Sequence, residues 1–202
     1  MFDTRPRESS FTRRAFIFAG ASVAAGAALI AESGWFGALA NLGGPSLEAK
    51  PGTVTLAEFD NAGRQLGERR VPTIIKSDAE WRRQLSAQSF AVTRRGATEI
   101  AFTGPLNDCY KPGVYRCICC ATAQYSSKTK YDPHEGWPSF WAPIASENFT
   151  RNMDGSLGME RIEVRCARCA GHLGHVFDDG PRPTGLRYCI NSAALQFSPA
   201  PR

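Results

Sequence analysis

Two Cys-x-x-Cys pairs, Cys117/Cys120 and Cys166/Cys169, constrain this chain more than any other feature. Four thiolates in two close pairs are the ligand set of a closed tetrahedral zinc site. Such a metal would staple two stretches that lie 45 residues apart, so the fold must bring two turns side by side. A disulfide across each pair is the alternative use of the same residues. Cys119 falls inside the first pair, but Cys117 and Cys120 have the usual ligand spacing, whereas Cys117 and Cys119 are too close. Each pair is followed by a small residue, Ala121 or Ala170, which lets main-chain N–H groups approach the sulfurs. Four cysteines leave no open coordination position, so the metal is expected to be structural.

The first 40 residues differ from the rest. Thr12-Arg13-Arg14-Ala15-Phe16-Ile17-Phe18 leads into an Ala/Gly-rich stretch from Ala19 to Ala31, and Ala38-Leu39-Ala40 offers small residues at a cleavage spacing. A charged start, an apolar middle and a small-x-small end make a secretory signal, and the arginine pair points to the twin-arginine route. The apolar stretch stops at Glu32, short of the roughly 20 residues a spanning helix needs. A cleaved signal over 1–40 and a periplasmic protein are therefore expected, with a membrane anchor as the alternative if the signal is retained. The route carries folded proteins, so zinc could be loaded before the thiols meet an oxidising space. The formal net charge is +5, with basic residues scattered among acids rather than striped. That is solvated surface and not a nucleic-acid groove. No stable membrane partner is expected either.

Residues 41–52, rich in Gly, Pro and small residues, read as a linker, and 53–202 as one domain. Thr53–Phe59 alternates as a strand does, and Asn61-Ala62-Gly63 is a turn signal. Ser77 and Glu80 form a capping box, predicting a short helix from Asp78 with Trp81 and Leu85 on its apolar face, ending before Phe90. From Gly113 on, short β-type runs are divided by Gly, Pro and Asp: Gly113–Cys117, Gln124–Ser127, Met159–Cys166, His175–Phe177, Leu186–Asn191 and Ala193–Phe197. The expected fold class is mainly β, in antiparallel sheets, with one short N-terminal helix and a zinc staple.

Cys189 stands apart from the pairs, in Arg187-Tyr188-Cys189-Ile190-Asn191. On a strand, Arg187, Cys189 and Asn191 share a face. A guanidinium beside a thiol favours the reactive thiolate, although a buried core cysteine is the commoner fate of this residue type. His172-Leu173-Gly174-His175 places two of the three histidines nearby in sequence. With four cysteines already sufficient for a zinc, acid–base work beside Cys189 suits these histidines better than a second metal. Gly136-Trp137-Pro138-Ser139-Phe140-Trp141 is an aromatic block on a constrained loop, serving either as core or as a wall for a small apolar group.

Taken together these words resemble the methionine sulfoxide reductase B family. The run from about Phe102 to Phe197 carries Gly136–Phe140, His172–Phe177, Gly180–Pro183 and Gly185–Ser192, and both Cys-x-x-Cys pairs match the family's zinc ligands. Ser77–Gly104, with Trp81 and Thr98-Glu99, fits the family's N-terminal part more weakly. The resemblance implies a β-tent-like fold and a peptide-methionine (R)-S-oxide reductase. Cys189 would attack the sulfoxide sulfur and become a sulfenic acid. His175, with His172, would serve the departing oxygen. Asn191 and Arg187 would tune the thiol, and Trp137 and Phe177 would line the substrate site. It further implies substrates that are oxidised methionines, protein-bound or free, and a thioredoxin-like dithiol as reductant.

One departure stands out. Many family members place a second cysteine just before the Gly-Trp-Pro-Ser-Phe word to capture the sulfenic acid, and here that place holds Glu135, expected as a surface acid. Cys109, in the polar run Asn107-Asp108-Cys109-Tyr110, is the candidate resolving thiol, and direct reduction by an external thiol is the alternative. Two rival readings remain: a zinc-stapled binding module, which has no use for Cys189, His175 and Asn191 together, and a zinc-containing thiol lyase, which does not call for the Gly136–Phe140 and Gly185–Ser192 words.

Overall fold

The computed structural model describes residues 47–155 and 160–202. The expected signal and the first half of the linker, 41–46, lie outside them. In chain order the elements are β1 (Thr53–Phe59), β2 (Gln65–Pro72), α1 (Asp78–Gln84), α2 (Ala87–Arg95), β3 (Gly113–Cys117), β4 (Ala123–Ser126), β5 (Lys130–Tyr131), β6 (Ser139–Phe140), β7 (Phe149–Asp154), β8 (Arg161–Cys166), β9 (His172–Phe177), β10 (Arg187–Ile190) and β11 (Leu195–Pro199). The chain is mainly β, and every strand pair is antiparallel. Strands β1 and β2 form a hairpin, β11-β3-β4 a three-stranded sheet, and β5-β6-β10-β9-β8-β7 a six-stranded sheet. Among the described residues no helix is long and apolar enough to cross a membrane.

The capping box is present: Ser77 Oγ accepts from the Glu80 N–H and Glu80 Oε2 from the Ser77 N–H, at 3.4 and 2.8 Å. Helix α1 begins at Asp78 and buries Trp81. Phe90, expected beyond the helical region, instead sits in α2, which restarts at a new N-cap, Ser86, and ends on Gly96 in the left-handed conformation. Buried Arg94 of α2 donates to the Cys169 carbonyl at 2.9 Å and lies over the Trp81 ring, tying both helices to the second cysteine turn. Strand β2 was not expected, because only Val71 in it is buried and the alternation that marks a strand is missing. The shift of β9 to an earlier start at His172, and of β11 to Leu195 after a 3-10 turn over Ser192–Ala194, are the main boundary differences.

Aromatic rings build the core. Tyr125 stacks on Phe140 at 4.3 Å, Tyr115 meets Phe140 edge-on at 5.0 Å, and Tyr188 completes the cluster. Because side chains alternate along a strand, Phe140 and Tyr188 on this face force their neighbours Ser139 and Cys189 onto the other.

Candidate active site

Register decides which side chains meet. Across the six-stranded sheet Tyr131 pairs with Ser139, Ser139 with Cys189, Cys189 with His175, and His175 with Glu163. Arg187, two residues before Cys189, pairs with Phe177, two after His175. This polar row opens on a cavity of about 200 Å³ lined by Cys189, His175, Phe177, Arg187, Trp137 and Glu135, with Thr98, Arg161 and Asn191 also on its wall. The close approach of β9 to β10 depends on Gly174: a Cβ there would sit 2.1 Å from the Cys189 carbonyl oxygen.

Arg187 is clamped from two sides. Its Nε and Nη2 donate to the two Asp179 oxygens, both at 2.8 Å, its Nη1 donates to Glu135, and its guanidinium lies over the Phe177 ring. Asp179 holds Arg187 protonated above its ordinary range. Two carboxylates thus share the charge expected to activate the thiol. Burial pushes Cys189 up to about 11, and the pull of Arg187 and of the Ser139 hydroxyl does not offset it. The resting site holds a thiol rather than the thiolate that the sequence suggests. Glu135, expected on the surface, has a side chain 42 % exposed but also borders the cavity.

His175 Nε2 lies 2.7 Å from Asp154 Oδ2, and Arg161 Nη2 donates to the same oxygen at 2.9 Å. Burial lowers the His175 pKa, with the Asp154 bond acting against it, so the ring is neutral near pH 7. His172 does not line the cavity. It is buried behind His175, with ring centroids 5.3 Å apart, and its Nδ1 is 2.7 Å from Glu163. Asp154 and Glu163 were missed in the sequence because neither belongs to a motif around its histidine.

Asn191 closes the far wall. Its Oδ1 accepts from the Glu99 N–H at 2.9 Å and its Nδ2 donates to the Leu173 carbonyl at 3.1 Å. The Glu99 carboxylate receives the N–H groups of Ser192 and Ala193, and its carbonyl accepts from Trp137 Nε1 at 3.1 Å. Burial raises the Glu99 pKa against those two N–H bonds. The Thr98-Glu99 word is therefore a bracket that fixes both Asn191 and the indole.

The four paired cysteines meet as the spacing requires. Their sulfurs all lie within 4.8 Å of one another, with Cys117–Cys169 at 3.7 Å and Cys120–Cys166 at 3.5 Å. A tetrahedron with zinc–sulfur bonds of about 2.3 Å has edges of about 3.8 Å. The two turns are alike: the Ala121 N–H reaches the Cys117 carbonyl and the Ala170 N–H the Cys166 carbonyl, both at 2.9 Å, and both alanines have positive φ. These residues fit a structural zinc, which would join the β3–β4 turn to the β8–β9 turn.

The chain matches the SelR domain over residues 85–199, more than half its length. It is 53% identical over 127 residues to the peptide methionine sulfoxide reductase MsrB of Hahella chejuensis, covering 63% of this chain and 91% of that protein. It is 55% identical over 126 residues to the same-named protein of Methylibium petroleiphilum, covering 62% of this chain and 91% of the relative. For the MsrB of Leptospira interrogans the values are 50% over 124 residues, 61% and 95%. The chain belongs to the methionine sulfoxide reductase B family.

The three cysteines outside the zinc set have different surroundings. Cys189 is on the cavity wall. Cys109 is half-buried, and its carbonyl accepts from the Tyr115 hydroxyl, whose ring packs on Phe140. Cys109 is not among the residues that line the cavity. Cys119 is buried between two metal ligands.

Proposed function

We propose that this protein reduces methionine R-sulfoxide to methionine, with Cys189 as the attacking group. The observation that carries the reading is Cys189 on a cavity wall, in register between Ser139 and His175, with the Trp137 indole pinned at the same cavity. The Cys189 sulfur attacks the sulfoxide sulfur, the sulfur–oxygen bond of the substrate breaks, and oxygen passes to Cys189 as a sulfenic acid while methionine leaves. The thiol starts protonated, so its own proton is available to the sulfoxide oxygen. His175 is neutral with its Nε2–H held by Asp154, so its Nδ1 is an acceptor that can receive the hydrogen of the oxygen once that oxygen is protonated. Trp137 and Phe177 receive the S-methyl end of the side chain, and Arg187 and Asn191 hold the walls. Zinc, when bound, supplies only folding energy through its four cysteines.

Two external thiols then return the enzyme. One attacks the sulfenic sulfur and releases water, and the second displaces Cys189 from the mixed disulfide. A thioredoxin-like dithiol fits this need, and the absence of Cys109 from the cavity lining favours it over an internal resolving thiol. We further infer that residues 1–40 direct export, which would make oxidised exported proteins the substrates. Fractionation of cells expressing the full chain tests that point. The central test is turnover of separated R and S epimers with dithiothreitol, for wild type and Cys189→Ser. Reduction of R alone, lost in the variant, is the expected result. Reduction of neither epimer by folded, zinc-loaded protein rules the proposal out.

A further inference from the structure

Arg94 is only 1% exposed, and among the described residues no carboxylate pairs with it. Arg187, the other buried arginine, is held by two. A guanidinium keeps its charge even when buried, so it needs a compensating negative one. The contacts of Arg94 do not supply it. Nη1 donates to the Cys169 carbonyl at 2.9 Å, Nε has no hydrogen-bond partner, and the group lies 4.8 Å from the Trp81 ring centre. A carbonyl dipole and a ring face are partial charges only.

The negative charge lies on sulfur. A Cβ built on Gly171 would be 3.4 Å from Cys169 Sγ, 3.5 Å from Cys119 Sγ and 3.6 Å from Arg94 Nη1, so guanidinium and sulfurs surround one point. Zinc takes its cysteines as thiolates. Four thiolates on one divalent cation leave an excess of negative charge on the cluster of Cys117, Cys120, Cys166 and Cys169. The side chains that meet Cys120 and Cys166 are neutral: the Thr122 hydroxyl is 3.2 Å from Cys120 Sγ, and Gln124 Nε2 donates to Cys166 Sγ at 3.4 Å. Arg94 brings a full positive charge to the Cys169 side.

We infer that Arg94 is the buried counter-charge of the zinc–tetrathiolate cluster, and that it sets how tightly zinc is held and how electron-rich the sulfurs are. The inference rests on zinc at the four cysteines and not on the reductase reading. Arg94 stands in the last turn of α2, and the chain runs on from there to Thr98 and Glu99. The same charge pair therefore fastens the segment that leads to the wall of the Cys189 cavity.

The test uses the full chain with Arg94→Gln, which keeps a donor for the Cys169 carbonyl but drops the charge, and Arg94→Lys, which keeps the charge but loses the planar fork. Zinc affinity is measured by competition with a chromophoric chelator. Arg94→Gln should bind zinc about tenfold more weakly, the usual scale for a group supporting metal ligands, and Arg94→Lys should stay within about threefold of wild type. In cobalt-loaded protein the sulfur-to-cobalt charge-transfer band should move to lower energy in Arg94→Gln, because a thiolate without its counter-charge gives up an electron more easily, and keep its place in Arg94→Lys. Equal weakening in both variants with the band unmoved overturns the proposal and leaves Arg94 as a tie between helix and turn. Unchanged affinity in Arg94→Gln overturns it too. Should Arg94→Gln not fold, Arg94→Lys decides alone, since a loss of about tenfold there overturns the charge role. If the effect of Arg94→Gln vanishes in a Cys119→Ala background, the charge answers to Cys119 and the proposal falls. Wild type that takes up no zinc removes the metal reading and the proposal with it.

Discussion

A Cys189 pKa of about 11, against an ordinary value of 9.0, makes a quantitative statement about reactivity. At pH 7.4 about one chain in 4,000 carries the thiolate, against about one in 40 for an unperturbed thiol, a hundredfold difference worth about 3 kcal/mol. The cause is first burial, then the Glu135 carboxylate, with Arg187 and Ser139 pulling the other way. Alkylation by iodoacetamide, quantified on the Cys189 peptide by mass spectrometry in the zinc-loaded protein, reads this directly. The rate should climb about tenfold per pH unit from 7 to 10 without a plateau. Glu135→Gln removes a negative charge beside the thiol and leaves Arg187 more of its own charge for Cys189. Alkylation of that variant should therefore be faster at every pH in the window. A plateau below pH 9 in wild type would show that Arg187 and Ser139 outweigh burial and would refute the raised value.

Other outcomes follow from the same geometry. Gly174→Ala should lower the melting temperature by 10 °C or more, since its methyl would collide with the Cys189 carbonyl and part β9 from β10; an unshifted melt would show that the strands can separate freely there. His175 has a folded pKa below its ordinary 6.5, so it contributes stability above pH 6.5 that is lost as pH falls through the depressed value; Asp154→Asn removes its counter-charge and should steepen that loss in thermal melts between pH 7.5 and 5.5. Stripping metal with a chelator should release one zinc per chain, measured by elemental analysis, and collapse the melting transition, because four sulfurs left without a metal no longer join the two turns. Intact mass after one equivalent of substrate should show a gain of one oxygen on Cys189 in both wild type and Cys109→Ser; a loss of two hydrogens confined to wild type would make Cys109 the resolving thiol.

Much of the site was legible because it obeys local rules. Cys-x-x-Cys spacing is the same wherever the two turns end up, and the alternation Arg187, Cys189 is fixed by any strand. The capping box at Ser77 likewise specified where α1 begins. What the sequence hid are partners supplied from afar. Asp154 stands 21 positions from His175, and Glu99 is 93 from Ser192. Nothing local distinguishes these carboxylates from the solvated acids around them. Strand β2 and helix α2 were hidden for the opposite reason. Strand β2 buries almost nothing, and α2 begins at Ala87 behind its N-cap Ser86, with only Leu85 and Ser86 between the helices, so the break between two helices looks like the end of one.

The position of Glu135 links these points. A guanidinium two residues from a cysteine suggests activation only while its charge is unspent, and here Asp179 takes it in a bidentate pair before Glu135 adds a second carboxylate. With the charge shared, burial decides the state of Cys189, and the resting site keeps its proton. Under the proposed reaction this arrangement is useful rather than defective, because the departing oxygen takes up a proton and the thiol holds one at the point of attack. The same low thiolate content shields the sulfur from adventitious electrophiles. Glu135 thus acts on Cys189 twice, directly as a negative charge that raises the thiol and indirectly by occupying the Arg187 guanidinium that would lower it.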